Sequence, residues 1–279
     1  MAVFQVNFMA ETMGRTVPLY VILPTDKFYM PGMPKREEGK PYKTLYLLHG
    51  IIGNYTDWLY GTSIQRWAEE RDLAVVMPSG DNSMYIDHAV DRYGEFIGKE
   101  LVEFTRKTFP LSHKKEDTYI GGLSMGGFGA MRNGLKYSDT FGAIISLSGA
   151  FVMDESILEV VENPRFPSDT MEYRHAVYGE DLEASLKSDK NPKWLVETMA
   201  AEGKEFPDIY MAIGTSDFLF DRNKEFDALL TKHGVKHEFV TGPGAHEWDF
   251  WNTYIKEALD WLPLEGKNEG RSSGNVGLE

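Results

Sequence analysis

The sequence predicts an α/β protein, an eight-stranded and mostly parallel sheet with helices on both faces. Three observations carry that expectation. Short apolar, β-branched runs recur along the chain, and the later ones are separated by helix-like stretches. Two such runs open the sequence with only a polar, glycine-containing connection between them, the mark of an antiparallel pair. Midway, a short apolar run enters the turn Gly122-Leu123-Ser124-Met125-Gly126 and a helical stretch follows it.

The elements follow in order. Ala2–Ala10 and Thr16–Leu23 form the first pair, turning near Gly14. Residues 24–42 hold Pro24, Pro31, Pro34 and Pro41 with several charges and read as a loop. Thr44–Leu48 is a buried strand ending in His49-Gly50; Trp58–Arg71 reads as one helix and Leu73–Met77 as the next strand. Between Asp91 and Phe109, the residues Phe96, Ile97, Leu101 and Phe104 fall broadly on one helical face, and Pro110 ends the run. Thr118–Gly121 is a strand, Phe128–Lys136 a helix and Phe141–Leu147 a strand. Ile209–Ile213 and His237–Val240 complete the sheet, with a helix at Asp221–Lys232 closed by Gly234. Glu247–Trp261 is the last helix, stopped before Pro263. Residues 151–206 contain no clear strand but hold Pro164, Pro167 and Pro192. They predict a helical excursion over the sheet edge, a candidate cap. Residues 1–265 thus read as a single domain, and the Gly/Ser/Asn-rich residues 266–279 as a disordered tail.

Composition narrows the function. The chain has 279 residues, enough for one large α/β domain with a substantial core. Its 29 Lys and Arg against 43 Asp and Glu leave a net charge of −14, which repels phosphate backbones and argues against a nucleic-acid partner. With no cysteine there is no disulfide, no thiolate metal site and no cysteine nucleophile. No apolar run is long enough to span a membrane, and Met1–Met13 lacks the features of a signal peptide. A cytoplasmic location is expected, or a secreted one if a signal was removed.

The Gly-x-Ser-x-Gly turn carries chemistry when a strand precedes it and a helix follows. A strand that turns sharply into a helix presses the positions two before and two after the serine against backbone, where only glycine fits. The serine is held in a strained conformation with its hydroxyl presented, a nucleophile elbow. That hydroxyl needs a base, and the base a carboxylate. On such a sheet the order is Ser, Asp or Glu, His. His246, in the Gly-rich loop between the last strand and last helix, is the expected base; His175 is a weaker rival, and His233 and His237 read as structural or exposed. Asp217 follows the Ile209–Ile213 strand by four residues and is preferred as the acid to Asp221, which reads as a helix start. The oxyanion of an acyl-transfer intermediate needs backbone N–H donors. Met125, after the nucleophile, and Ile51, in the loop opened by His49-Gly50, are the candidates, with His49 holding that loop. Competing motifs fail: His246-Glu247 starts a zinc pattern, but position 250 is Phe, and Gly127-Phe128-Gly129 lacks the third glycine of a dinucleotide site.

The set Leu47-Leu48-His49-Gly50, Gly122-Leu123-Ser124-Met125-Gly126-Gly127, Gly214-Thr215-Ser216-Asp217 and Gly244-Ala245-His246-Glu247-Trp248 resembles the esterase D family of α/β-hydrolases. It looks most like the bacterial tributyrin-esterase branch, near feruloyl and acetyl-xylan esterases, and the resemblance runs from about Val3 to Leu262. It implies the α/β-hydrolase fold and a cofactor-free serine carboxylesterase acting on short-chain acyl or aryl esters. The triad implied is Ser124, Asp217 and His246, with Ile51 and Met125 as oxyanion donors and no metal. Homo-oligomers are common in the family. Ile52 is a departure, since relatives often carry Gly or Ser there. Ile52-Gly53 also stands where S-formylglutathione hydrolases often carry Thr-Cys, which argues against that thioesterase activity. Trp58 and Trp248, with Trp194 from the excursion, are candidates for the acyl-pocket wall, although Trp58 and Trp248 could equally pack their own loops. Three alternatives stand beside the esterase: an acyltransferase on the same scaffold, an S-formylglutathione hydrolase-like thioesterase, and a non-catalytic interaction protein.

Overall fold

The computed structural model of the chain describes residues 2–27 and 35–264. The tail expected at 266–279 lies outside the described residues.

Eight strands form one sheet: β1 (Ala2–Ala10), β2 (Arg15–Leu23), β3 (Thr44–Leu48), β4 (Ala74–Pro78), β5 (Thr118–Leu123), β6 (Ala143–Leu147), β7 (Asp208–Gly214) and β8 (His237–Gly242). Their spatial order is β1-β2-β4-β3-β5-β6-β7-β8. The opening hairpin is antiparallel, and β2 pairs antiparallel with β4; every later pairing is parallel. This is the mostly parallel eight-stranded sheet that the strand and helix order predicts, in the α/β-hydrolase arrangement that the family resemblance implies.

Strands β3, β4, β5 and β6 are buried along their whole length, which explains their continuous apolar composition. Alternate side chains serve opposite layers. Tyr46 and Leu48 join Phe128, Met131 and Phe226 in one core, while Leu45 and Leu47 join Trp67, Trp251 and Ile255 in the other. Each side chain of this size adds roughly 1.5–3 kcal/mol on full burial, so both layers contribute heavily to holding the sheet.

The helices are α1 (Asp57–Gly61), α2 (Ile64–Glu70), α3 (Tyr93–Glu95), α4 (Leu101–Thr108), α5 (Met125–Lys136), α6 (Met171–Tyr178), α7 (Leu182–Leu186), α8 (Pro192–Ala201), α9 (Phe220–Lys232) and α10 (Trp248–Trp261). Two expected single helices are broken. The Trp58–Arg71 stretch divides into α1 and α2. There Thr62 Oγ donates to the Trp58 carbonyl at 2.6 Å and accepts the Ile64 N–H at 3.1 Å, drawing backbone groups out of the helical ladder. The Asp91–Phe109 stretch becomes α3, a wider π turn at Phe96–Glu100, and α4. Gly98 in that turn lies so close to the Tyr137 ring that an added Cβ would stand 2.1 Å from it.

Residues 151–206 leave the sheet between the adjacent strands β6 and β7, so the excursion does not cross an edge as expected. It opens with short 3-10 turns at Glu155–Leu158 and Pro167–Asp169 before α6, α7 and α8. Its apolar residues Phe151, Val177, Val196 and Met199 enter the same core as Phe128 and Phe226. Among the described residues no helix is long and apolar enough to cross a membrane.

Candidate active site

The predicted residues meet where β3, β5, β7 and β8 end. Ser124 sits between β5 and α5 with φ 54° and ψ −118°. Three backbone bonds fix this strained turn: Ser124 N–H donates to Leu147 O at 2.9 Å, and Ser124 O accepts from Phe128 and Ala150 N–H at 3.0 Å each. The glycines are sterically required. A Cβ on Gly126 would lie 2.3 Å from the Leu48 carbonyl oxygen, and one on Gly122 would lie 2.5 Å from the Gly126 backbone.

Asp217 turns back after β7, its N–H donating to Gly214 O at 3.0 Å. One carboxylate oxygen accepts the Leu219 N–H at 2.9 Å and the other accepts from His246 Nδ1 at 2.9 Å. His246 Nε2 lies 2.9 Å from Ser124 Oγ. The imidazole is held between Phe218 and Trp251, with ring centroids 4.6 and 4.9 Å away. Burial by itself raises the Asp217 pKa, but hydrogen bonds from His246, the Leu219 N–H and Ser148 outweigh it and hold the carboxyl below its ordinary range. An ionised Asp217 can only accept, so Nδ1 carries the proton. That leaves the Nε2 lone pair facing the serine hydroxyl. Asp221 instead lies exposed in the first turn of α9.

Ile51 and Met125 line the same cavity as Ser124. Met125 opens α5, so its N–H has no intrahelical partner. Among the described residues neither its N–H nor that of Ile51 meets an acceptor. Ile52 takes φ 60°, a conformation that a β-branched residue resists, which is why a smaller residue suits this position. Its N–H donates to Asn82 Oδ1 at 2.7 Å, and its side chain points to solvent, 78% exposed. His49 holds the loop as expected. Its Nε2 accepts the Gly80 N–H at 2.8 Å, so Nδ1 carries the proton donated to Gly50 O at 2.7 Å. Burial lowers the His49 pKa and keeps this imidazole neutral.

Above Ser124 opens a cavity of about 610 Å³. Trp248, Trp251, Phe218, Phe166, Val152 and Met84 give it apolar walls, and Asp57, Asp169 and Glu247 border it without any lysine or arginine among its described lining. Two expected wall residues are corrected. Trp58 is 1% exposed and lies in the core beneath, its indole N–H donating to Leu48 O at 2.8 Å; it meets the cavity only through an edge-on contact with Trp248. Trp194 packs against the core under α8 and does not line the cavity. The sequence reading missed Phe218, Trp251, Phe166 and Ser148. Phe218 adjoins Asp217 and Trp251 falls five residues after His246, so proximity to the motifs was their one available signal.

A serine, an imidazole and a carboxylate hydrogen-bonded in series at the carboxyl end of a mostly parallel sheet define a serine hydrolase of the α/β-hydrolase fold. Residues 10–262 match the model of the Esterase family, described as "Putative esterase", and the chain belongs to that family. It is 41% identical over 264 residues to an acetyl esterase of Caldicellulosiruptor saccharolyticus, covering 94% of this chain and 98% of that one. Among solved structures it is similar to the substrate-bound fluorophosphonate-binding serine hydrolase F of Staphylococcus aureus, at TM-score 0.79 and 34% identity, covering 94% of this chain and 98% of that one. It is also similar to an S-formylglutathione hydrolase of Staphylococcus aureus, at TM-score 0.78 and 33% identity over the same shares of the two chains. Family and relatives together make this chain a carboxylic ester hydrolase.

Proposed function

We propose that the protein is a serine carboxylesterase that cleaves short-chain acyl and aryl esters through an acyl-enzyme on Ser124. The observation that carries this reading is the continuous chain from Ser124 through His246 to Asp217, with 2.9 Å at each link. Ser124 Oγ attacks the ester carbonyl as its proton passes to His246 Nε2. The oxyanion accepts hydrogen bonds from the Ile51 and Met125 N–H groups, each such donor being worth about 10²–10³ in rate. His246 returns the proton to the departing alcohol. Water then repeats the sequence and releases the acid. Asp217 stays ionised and stabilises the imidazolium that forms at each step.

The similarity to an acetyl esterase favours a small acyl group, and the aromatic walls suit an apolar acyl chain or an aryl ring. The test is a panel of p-nitrophenyl esters from acetate to octanoate, with methyl ferulate and acetylated xylan. A kcat/KM that peaks at acetate to butyrate and falls toward octanoate supports the reading; a peak at octanoate overturns the short-chain assignment. A second reading, thioester hydrolysis of the S-formylglutathione type, is favoured by the 33% identical structure of that name. Three carboxylates and no lysine or arginine among the described lining of the cavity disfavour an anionic glutathione group. Equal or better kcat/KM on S-formylglutathione than on p-nitrophenyl acetate would establish it. Acyl transfer is a further outcome: added alcohol would then yield new ester in place of free acid. A cytoplasmic location fits the cysteine-free composition.

A further inference from the structure

Ser148 stands just past the end of β6, fully buried behind the acid and the base. Its φ is 47°, a left-handed conformation that costs an L-residue stability and that glycine adopts freely. Its N–H is tied to β7, donating to Ala212 O at 2.8 Å, so it rides on the strand whose exit carries Asp217. A serine kept where glycine would be easier points to a use for the hydroxyl.

The hydroxyl has two neighbours that matter. Trp251 Nε1–H, which can only donate, reaches Ser148 Oγ at 3.1 Å. The serine must accept that bond, which leaves its own proton to give, and the Ser148 side chain is among the groups that lower the Asp217 pKa. The same Trp251 indole meets the His246 ring edge-on at 89°. One hydroxyl therefore anchors the indole that the imidazole packs against, and it helps to keep the acid ionised.

Resting on the esterase reading, we infer that Ser148 is a positioning residue for the reaction: it fixes the Asp217 carboxylate and, through Trp251, the plane of His246. It does not meet substrate, for it is absent from the cavity lining. Its loss therefore acts on turnover and leaves substrate binding alone.

The test compares Ser148→Gly, Ser148→Ala and Ser148→Thr with the native enzyme, all measured well below their melting temperatures on p-nitrophenyl butyrate. Hydrogen bonds to charged groups of this strength predict a fall in kcat of about 10- to 100-fold for Gly and Ala, with KM within about twofold. Ser148→Thr keeps the hydroxyl and is expected to retain most of kcat, even though a β-branched residue at this φ lowers Tm. Covalent labelling of Ser124 by a fluorophosphonate probe should slow in parallel with kcat. A serine that merely fills space would change Tm and leave kcat of the folded enzyme unmoved. If Ser148→Gly does not fold, Ser148→Ala carries the comparison. Glycine or alanine variants with kcat within about twofold of native overturn the inference, as does a threonine variant slower than alanine. Failure of the native protein to label at all would instead refute the underlying esterase reading.

Discussion

Replacing Asp217 by asparagine changes one atom of the proposed triad and reverses the direction of one hydrogen bond. The carboxylate accepts from the Leu219 N–H and from His246 Nδ1, each at 2.9 Å. In Asp217→Asn the amide oxygen can keep the Leu219 bond, which turns the NH2 group toward His246. Nδ1 must then accept, the proton moves to Nε2, and the ring presents N–H to Ser124 where a lone pair is needed. A comparable substitution in a serine-protease triad lowers kcat by about 10⁴. At 1.36 kcal/mol per tenfold, that is about 5.4 kcal/mol of lost transition-state stabilisation. The expected result for Asp217→Asn on p-nitrophenyl butyrate is a loss of that order in kcat with KM little changed. Asp221→Asn, exposed in α9, should stay within about twofold of native. Circular dichroism and Tm check that both variants fold. A larger loss from Asp221→Asn than from Asp217→Asn would refute the assignment of the acid.

The two tryptophans proposed together for the pocket should separate. Trp58→Ala removes a fully buried indole and its bond to Leu48 O, and should cost about 3–5 kcal/mol of stability by denaturant titration. Trp248→Ala opens the cavity wall and should shift the acyl-length profile of kcat/KM toward longer esters. Acid stability should report Asp217, whose folded pKa lies below its ordinary 3.8. A depressed carboxylate stabilises the fold fully above the unfolded pKa and loses that contribution as pH falls through the folded one. Tm measured from about pH 2 to 5 should therefore fall less steeply in Asp217→Asn than in the native protein; identical slopes would contradict the depressed pKa.

The elbow was legible because its demands are local. Gly122 and Gly126 have backbone oxygens and carbons within 2.5 Å of where a Cβ would go, so five consecutive residues announce the turn. Asp217 and His246 were legible through topology, since the parallel strand order brings the exits of β7 and β8 beside Ser124. The pocket wall was not legible. Trp58 and Trp248 look alike in sequence, and only tertiary packing sends one indole into the core and the other to the cavity. The break between α1 and α2 eluded periodicity because a single Thr62 hydroxyl outcompetes the ladder there. Phe166 and Ser148 reach the site from segments 42 residues after and 24 residues after Ser124, a juxtaposition that no local pattern records.

The central claim is that ester cleavage passes through an acyl group on Ser124 Oγ. Rapid quenching in acid during turnover of p-nitrophenyl acetate, followed by peptide mass spectrometry, tests it most directly. An acetyl adduct on Ser124 is the predicted result, and neither adduct nor turnover is expected in a folded Ser124→Ala variant. Full turnover by Ser124→Ala, or an adduct on a different side chain, would contradict the account.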